Sequence, residues 1–316
     1  MKIFLAGATG AIGRRLVPLL VRDGHSIVAT TRHSGKLDSL RAAGTEPIVL
    51  DALDRDAVMK AVLDARPDVI VHQLTALTGV RNFKKVDQEL AVTNRLRTEG
   101  TQYLLDAARA AGVRRFVAQS YTGWPNVREG GPVKTEDDPL DPHPPKAMTE
   151  TLEAIRRLES MVAGATGLVG IVLRYGAFYG PGTSVAIGGD IVEMLRGRKF
   201  PLIGNGAGVW SFIHIDDAAE ATRVAIQQGP AGIYNIVDDE PVAASVWLPE
   251  LSRSVGAKPP FHVPVWLGRL AAGEVGVSMM TRVRGSSNAK AKRVLGWRPG
   301  YASWRDGFRR GLAPAY

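Results

Sequence analysis

The sequence predicts an α/β protein with a doubly wound parallel sheet and a smaller C-terminal substrate-binding lobe. Short apolar runs of strand length alternate with segments of helical periodicity through the first half of the chain. This alternation is typical of parallel sheets that are covered by helices on both faces. A glycine-rich turn directly follows the first apolar run. From Gly176 onward, glycine and proline become frequent and the helical segments become shorter, which indicates a change of architecture.

The predicted elements follow one another regularly along the chain. The strands of the first half are residues 2–6, 26–31, 46–50, 68–74, 115–120 and 168–173. The intervening helices are residues 11–22, 36–43, 55–65, 86–111 and 149–163. We expect Arg95 and Arg97 to lie on the solvated face of the long helix 86–111. In the second half, two further strands near 212–215 and 233–237 are expected to return to the sheet.

Composition narrows the classes of protein. Of 316 residues, 45% are hydrophobic and 22% are charged, the usual mixture for a globular chain. The absence of cysteine excludes disulfides and thiolate zinc sites, and the histidines lack metal-ligand spacing, so no metal is expected. No apolar run is long enough for a signal peptide or a membrane helix, so we expect a cytoplasmic protein that is not bound to a membrane. The net charge of +9 is spread along the chain without an aromatic-studded basic cluster, which argues against nucleic-acid binding.

The glycine-rich turn predicts a dinucleotide site of the Rossmann type. Its glycines have the spacing G-x-x-G-x-x-G between the first strand and the first helix. Glycine allows the backbone to approach a pyrophosphate closely, and the helix behind it offers free N–H groups and the positive end of its dipole. A tight turn without a ligand is the alternative interpretation. The expected cofactor contacts in this turn are Gly7, Thr9, Gly10, Ala11, Ile12 and Gly13.

The end of the second strand favours NADP over NAD. NAD-binding folds usually place an acidic residue there, whereas this strand is followed by Arg32, which could pair with a 2′-phosphate. Lys36 lies close enough in sequence to assist. Asp51, followed by Ala52, comes after the third strand and is a candidate partner for the adenine. The alternatives are that Arg32 is a solvated surface charge and that Asp51 only initiates a helix.

We predict a dinucleotide-binding domain at residues 1–175, with returns at about 207–240, and a substrate lobe at residues 176–206 and 241–316. The lobe would close over the C-terminal edge of the sheet. Residues 125–145 form a long loop rich in proline, glycine and aspartate, and loops of that length are usually functional or mobile.

Several motifs in order along the chain resemble the extended short-chain dehydrogenase/reductases, the superfamily of nucleotide-sugar epimerases and dehydratases. They are the glycine turn, Val71-His72-Gln73-Leu74-Thr75-Ala76, Leu173-Arg174-Tyr175, Phe178-Tyr179-Gly180-Pro181-Gly182, Phe212-Ile213-His214-Ile215-Asp216-Asp217, Tyr234-Asn235-Ile236 and Leu295-Gly296-Trp297-Arg298-Pro299. The resemblance implies a Rossmann fold, a nicotinamide cofactor, a small-molecule substrate and a possible homodimer. It also implies cofactor contacts at Leu74, Thr75, Ala76 and Tyr175.

The chain departs from this family at its catalytic pair. The family uses Tyr-x-x-x-Lys on a helix, where the tyrosine exchanges a proton with the substrate oxygen and the lysine lowers its pKa and holds the ribose. No tyrosine in this sequence is followed four residues later by lysine. If Glu159 is matched to the helix glutamate of the family, Thr151 and Ile155 occupy the two catalytic positions.

We therefore expect catalytic groups elsewhere. The fifth strand ends in three hydroxyl side chains, Ser120, Tyr121 and Thr122, at the place where the family keeps a catalytic hydroxyl. We hypothesise that Tyr121 is the proton donor and that Lys146 lowers its pKa. A packed aromatic with a satisfied hydroxyl is the alternative.

A second departure concerns the substrate. Sugar-nucleotide enzymes of this family usually carry an arginine where this chain has Trp210. An indole cannot neutralise a diphosphate but can pack against an apolar or aromatic body. We predict that Trp210, Trp124 and Tyr179 bind substrate, with Trp247 as a further wall residue, although at least one of the tryptophans is expected in the core.

Three functions remain open from the sequence. We favour an NAD(P)-dependent oxidoreductase, with NADPH, that acts on a carbonyl or hydroxyl group of a small organic metabolite. A redox-neutral epimerase, dehydratase or cyclase of the same fold is the second. An NADP-binding sensor without turnover is the third.

Overall fold

The computed structural model describes residues 1–77 and 82–312. Its strands are β1 (Lys2–Ala6), β2 (Ser26–Thr31), β3 (Glu46–Val49), β4 (Val69–His72), β5 (Arg115–Tyr121), β6 (Val133–Lys134), β7 (Val169–Tyr175), β8 (Ala177–Tyr179), β9 (Leu202–Ile203), β10 (Val209–Trp210), β11 (Phe212–His214), β12 (Gly232–Ile236), β13 (Val242–Ala243), β14 (His262–Val263) and β15 (Gly285–Ser286). Its α-helices are α1 (Ala11–Arg22), α2 (Leu37–Ala42), α3 (Arg55–Ala65), α4 (Val86–Glu89), α5 (Ala91–Arg95), α6 (Thr101–Ala110), α7 (Thr149–Ala163), α8 (Asp190–Arg196), α9 (Ile215–Gln227), α10 (Ala244–Ser254), α11 (Val265–Thr281) and α12 (Trp304–Arg310).

Seven parallel strands form one sheet in the order β12-β7-β5-β4-β1-β2-β3. Apolar residues of α1 and α9 cover one face, and those of α3, α6 and α7 cover the other. The strand order reverses between β1 and β4, and ligands of such sheets bind at that reversal, outside the carboxyl ends of the strands. The α/β fold with a parallel Rossmann-like sheet and a smaller C-terminal region is therefore confirmed.

The predicted continuous helix 86–111 is interrupted. The chain leaves helical geometry at Leu90, and a π-helical turn at Leu96–Gly100 separates α5 from α6. A π turn adds a residue to the helical repeat and so rotates the side chains that precede it relative to those that follow, and such turns are frequent at functional sites. This rotation bears on where Arg97 lies.

One predicted return to the sheet is wrong. β12 joins the large sheet beside β7, as expected for 233–237. The other segment, β11, instead pairs with β8 in a separate two-stranded sheet. The backbone approaches closely at Gly176, where a Cβ would lie 2.6 Å from the Ser211 carbonyl oxygen. Gly176 therefore lets β8 leave the edge of the sheet and meet β11.

The smaller C-terminal region has its own apolar core. Phe212, Trp247, Trp304 and Phe308 are almost completely buried in it. This core backs the wall that faces the carboxyl ends of the sheet strands. No helix within the described ranges is long and apolar enough to cross a membrane.

Candidate active site

The turn after β1 has no room for side chains at two of its glycines. Gly7 has a positive φ of 98°, and a Cβ there would lie 2.7 Å from the Gln73 carbonyl oxygen. A Cβ on Gly13 would lie 2.5 Å from the Ala8 carbonyl oxygen and closer still to that of Gly7. These contacts are with backbone atoms, which cannot move aside. The first turn of α1 is therefore packed directly on β1.

Gly10 is placed differently. It precedes α1 without a side-chain cap, and a Cβ there would meet only the Gly7 carbonyl oxygen, at 3.3 Å. The first N–H groups of a helix lack partners within it, so those of Ala11 and Ile12 face the open side of the turn. The Ile12 side chain itself is buried against the sheet and anchors the helix. Backbone donors, helix dipole and open space together fit a pyrophosphate.

The neighbouring strand ends supply the groups expected around an adenosine. Arg32 and Lys36 are both exposed after β2, and within residues 1–77 and 82–312 neither has an ion-pair partner. Asp51 is exposed after β3, where its Oδ1 accepts a hydrogen bond from Leu53 N at 3.0 Å. Thr9 closes the turn, because its carbonyl oxygen accepts a hydrogen bond from Arg14 Nε at 2.9 Å. The cofactor contacts predicted here, including the buried Ala52, stay predictions.

The segment after β4 lies between the glycine turn and β5. Leu74, Thr75 and Ala76 are partly buried there. The Leu74 carbonyl oxygen accepts a hydrogen bond from Gln119 Nε2 at 3.1 Å, and Ala76 N donates to Thr93 Oγ1 at 3.1 Å. These bonds hold the backbone along the crevice outside the carboxyl ends of the strands. The cofactor contacts predicted for these three residues stay predictions.

Two tyrosines that the sequence placed at the ligands lie in the interior instead. Tyr175 is 1% exposed, and its hydroxyl is hydrogen bonded with Thr222 Oγ1 at 2.7 Å and Gln73 Nε2 at 3.2 Å. Tyr179 is completely buried among aromatic side chains of the C-terminal core. Both side chains are thus interior, and the predictions of cofactor binding at Tyr175 and substrate binding at Tyr179 stay predictions.

Ser120 is also engaged away from the crevice. Its Oγ donates to Glu159 Oε1 at 2.7 Å, and the same carboxylate accepts two hydrogen bonds from Arg174, at 2.8 and 2.6 Å. All three side chains are buried. Successive residues of a strand face opposite sides of the sheet, so Ser120 points under α7 while Tyr121 points elsewhere. The catalytic prediction for Ser120 does not agree with this placement.

Thr122 belongs to a second buried network. Its Oγ1 donates to Asn126 Oδ1 at 3.2 Å and lies 2.6 Å from Ser286 Oγ. Asn126 Nδ2 in turn donates to Ser286 Oγ at 2.9 Å. These bonds tie the end of β5 to β15. Thr122 also lines the cleft beside Tyr121, so a catalytic role for its hydroxyl stays a prediction.

Tyr121 lines a cleft between the end of β5 and the C-terminal region. Trp124 and Trp210 lie on the same cleft, where substrate binding by them stays a prediction. Trp247 does not line it, because it is buried behind Trp210 with ring centroids 5.1 Å apart. Thr122 and Gly123 also line the cleft, and the other wall residues, which the sequence did not single out, come from distant segments: Val209, Ser211, Met279 and Val283.

Lys146 does not activate Tyr121. It is exposed in a short turn before α7, and burial alone raises the pKa of Tyr121 to about 12. A nearby cation would have lowered that pKa. The prediction that Lys146 lowers it is therefore wrong, and the Tyr121 phenol stays neutral at physiological pH.

The helix positions of the family pair hold no proton-transfer groups. Thr151 and Ile155 on α7 are both completely buried. Thr151 Oγ1 donates to Asp87 Oδ1 at 2.6 Å and accepts from Asn94 Nδ2 at 3.1 Å. The hydroxyl of Thr151 thus connects α7 to the helices in front of it.

Arg97 does not lie on the fully solvated helix face that the sequence predicts for it. Arg95 is on the solvated face as predicted and pairs with Glu99 at 2.8 Å. Arg97 is half-buried, and burial lowers its pKa to about 10. The π turn rotates it toward α7, and periodicity computed for a regular helix gave no sign of this.

Comparison with known proteins supports these structural features. The model of the NAD dependent epimerase/dehydratase family matches residues 3–237. A 3-diazoavenalumate denitrifying reductase from a Streptomyces species is 45% identical over 313 residues, covering 98% of this chain and 100% of the relative.

Two solved structures share the fold. A UDP-glucose 4-epimerase from Thermotoga maritima, solved with UDP-glucose, has a TM-score of 0.76 and 21% identity, covering 99% of this chain and 97% of its own. A human epimerase family protein solved with NADPH has a TM-score of 0.77 and 18% identity, covering 99% of each chain. At these identities the likeness concerns the fold alone.

Proposed function

Because this chain belongs to the NAD-dependent epimerase/dehydratase family, in which its 45% identical relative is a reductase, we propose that it is an NADPH-dependent reductase of aromatic diazo compounds. The observation that supports this proposal best is the site itself. Aromatic side chains line the cleft, and the expected proton-donor pair is replaced by Thr151 and Ile155.

NADPH is the cofactor that the described groups fit. The open side of the glycine turn accommodates a pyrophosphate, and the unpaired Arg32 and Lys36 lie where a 2′-phosphate would need cations. When bound, NADPH supplies a hydride and its two electrons. The chain supplies the phosphate cradle, the charge that selects the cofactor and the walls that orient the substrate.

The lack of the family's Tyr-x-x-x-Lys pair on α7 agrees with a diazo substrate. Reduction of a carbonyl produces an alkoxide, which a positioned acid has to protonate. In an arenediazonium ion the ring gains hydrogen from the hydride, the C–N bond breaks and N2 leaves, so charge and electrons balance without a proton. The Streptomyces relative is named for such a denitrifying reduction. A Tyr121 phenol with a pKa of about 12 is no obstacle to this chemistry.

The cleft also suits a small planar cation. Tyr121 and Trp124 have ring centroids 6.3 Å apart at an interplanar angle of 30°. Trp210 is fixed in the opposite wall, because its Nε1 donates to the Met279 carbonyl oxygen at 2.8 Å. Aromatic faces attract cations and stack on rings.

Tyr121 also supports a second candidate, the reduction of a carbonyl with Tyr121 as proton donor, because its hydroxyl-bearing ring lines the cleft. The Tyr121→Phe variant separates the two functions. A diazo reductase is expected to retain turnover within about two-fold, whereas loss of a general acid costs about 100-fold or more.

The test uses the purified enzyme with NADPH, a panel of arenediazonium ions and a matched panel of aromatic ketones. We expect NADPH oxidation with release of N2 and the corresponding arene. Trp210→Ala should lower kcat/KM by about ten-fold through lost stacking. Trp266→Ala is the control, because that tryptophan is 68% exposed on α11. Turnover of ketones alone, abolished in Tyr121→Phe, would replace the diazo proposal by the carbonyl one.

A further inference from the structure

Arg97 is a half-buried cation without a counter-ion. Its Nη1 makes one long hydrogen bond, to Asn94 Oδ1 at 3.5 Å. Among residues 1–77 and 82–312, no acidic oxygen lies within the 4.0 Å of an ion pair from its guanidinium. A guanidinium has five N–H donors in a fixed fork, so most of the hydrogen-bonding capacity of Arg97 is unused.

The neighbouring charges leave this cation uncompensated. Glu159 is the acidic group whose charge acts on Arg97, but both of its oxygens already accept hydrogen bonds from Arg174. His72 is neutral, because burial lowers its pKa to about 4. Arg97, Arg174, Glu159 and His72 therefore form a cluster with a net charge of +1. Such a charge at a partly desolvated site is costly unless electron-rich groups surround it.

The position of Arg97 is defined by its neighbours on α7. Asn94, one turn earlier, contacts Thr151, and the charge of Arg97 interacts with Glu159. Thr151, Ile155 and Glu159 lie on successive turns of one helix face. Ile155, the position at which the family pattern has lysine, lies on this face between Thr151, which contacts Asn94, and Glu159, whose charge acts on Arg97. Arg97 is also next to the carboxyl end of β4, at the crevice in which ligands of parallel sheets bind.

We propose that Arg97 binds the ribose hydroxyls on the nicotinamide side of the bound dinucleotide, replacing from another helix the cation that Ile155 cannot provide. This role rests on the cofactor assignment of the proposed function. The π turn at Leu96–Gly100 is the element that makes it possible, because it packs against α7 and turns Arg97 toward that helix. The fork of Arg97 can donate to two vicinal hydroxyls at once.

The experiment measures binding rather than turnover. Arg97→Met removes the charge but keeps the length of the side chain, and Arg97→Lys restores a cation. The ligands are NADPH and adenosine 2′,5′-bisphosphate, which lacks the nicotinamide ribose. We expect Arg97→Met to bind NADPH about ten-fold more weakly and the bisphosphate unchanged, with Arg97→Lys recovering most of the loss. Arg95→Met, on the same helix and paired with Glu99, should match the wild type.

Two results would overturn the role of Arg97. One is unchanged NADPH affinity in Arg97→Met. The other is an equal loss of affinity for both ligands, since a general disturbance of the fold would affect the adenosine end as well. If the wild-type protein bound neither ligand, the cofactor assignment itself would fail and the proposal would fall with it. A different result is normal NADPH binding by the wild type with the same affinity in Arg97→Met. That result contradicts only the role of Arg97 and leaves the cofactor assignment intact.

Discussion

The two ends of the cofactor crevice are built in different ways. At the β1 end, the glycine turn follows the family pattern, and its constraints are backbone contacts at Gly7 and Gly13. At the β5 end, α7 carries Thr151 and Ile155 in place of the family's catalytic pair, and buried networks around Ser120 and Thr122 occupy the strand terminus. The structure of the β1 end therefore depends on the path of the main chain, whereas the chemistry of the β5 end depends on which side chains are present.

This difference shows which part of the site can change without loss of the fold. A side chain at Gly13 would push β1 and α1 apart, so substitution there affects the sheet itself. Replacing a catalytic tyrosine by Thr151 leaves the helix packed, because the hydroxyl finds partners in Asp87 and Asn94. The cofactor end is therefore expected to keep its function while the chemistry at the other end diverges.

The largest effect is expected from Gly13→Ala. The new Cβ would overlap two backbone carbonyl oxygens, which we expect to lower the free energy of unfolding by about 3 kcal/mol or more and to weaken NADPH binding at least about ten-fold. Urea unfolding and fluorescence titration measure the two quantities. Gly35→Ala is the control, because nothing lies within 4 Å of a Cβ there. Similar effects of both substitutions would contradict a special constraint at the turn.

The next effect concerns the catalytic end. Glu159→Gln removes the only carboxylate of the buried cluster with Arg97, Arg174 and His72, and we expect it to lower the free energy of unfolding by about 3 kcal/mol. Glu153→Gln on the same helix is the control, since its side chain is 68% exposed. Thermal and denaturant unfolding without cofactor provide the measurement. Equal stability of the two variants would show that the buried charges are compensated in another way.

The smallest effect is expected from a substitution at the cofactor end of the crevice. Arg32→Ala should weaken NADPH binding by about ten-fold and leave NADH binding unchanged, because only NADPH carries the 2′-phosphate. Arg41→Ala, whose arginine pairs with Asp38 on the surface, controls for a general change in charge. Equal losses for NADPH and NADH would mean that Arg32 does not distinguish the two cofactors.

Sequence reasoning found the elements of the sheet but could not rank the hydroxyls at the end of β5. Strand alternation shows that Ser120 and Tyr121 face opposite sides, yet it does not say which side is the cleft. The position of Lys146 in the loop before the helix suggests a cation near Tyr121, but the turn before α7 leaves its side chain in solvent. Arg97 was assigned by regular helical periodicity, which a π turn invalidates.

The sequence by itself determined the parallel sheet, the glycine turn and the family to which the chain belongs. These features depend on local periodicity and on the room that glycine leaves around the backbone. Consecutive residues in the sequence indicate both. Only the tertiary structure decided that Tyr121 lines the cleft, that Tyr175 and Tyr179 are interior, and that Arg97 is half-buried with one long hydrogen bond to Asn94. The physical reason is that burial and charge compensation depend on contacts between residues far apart in the chain. No local sequence pattern indicates the distances between such residues.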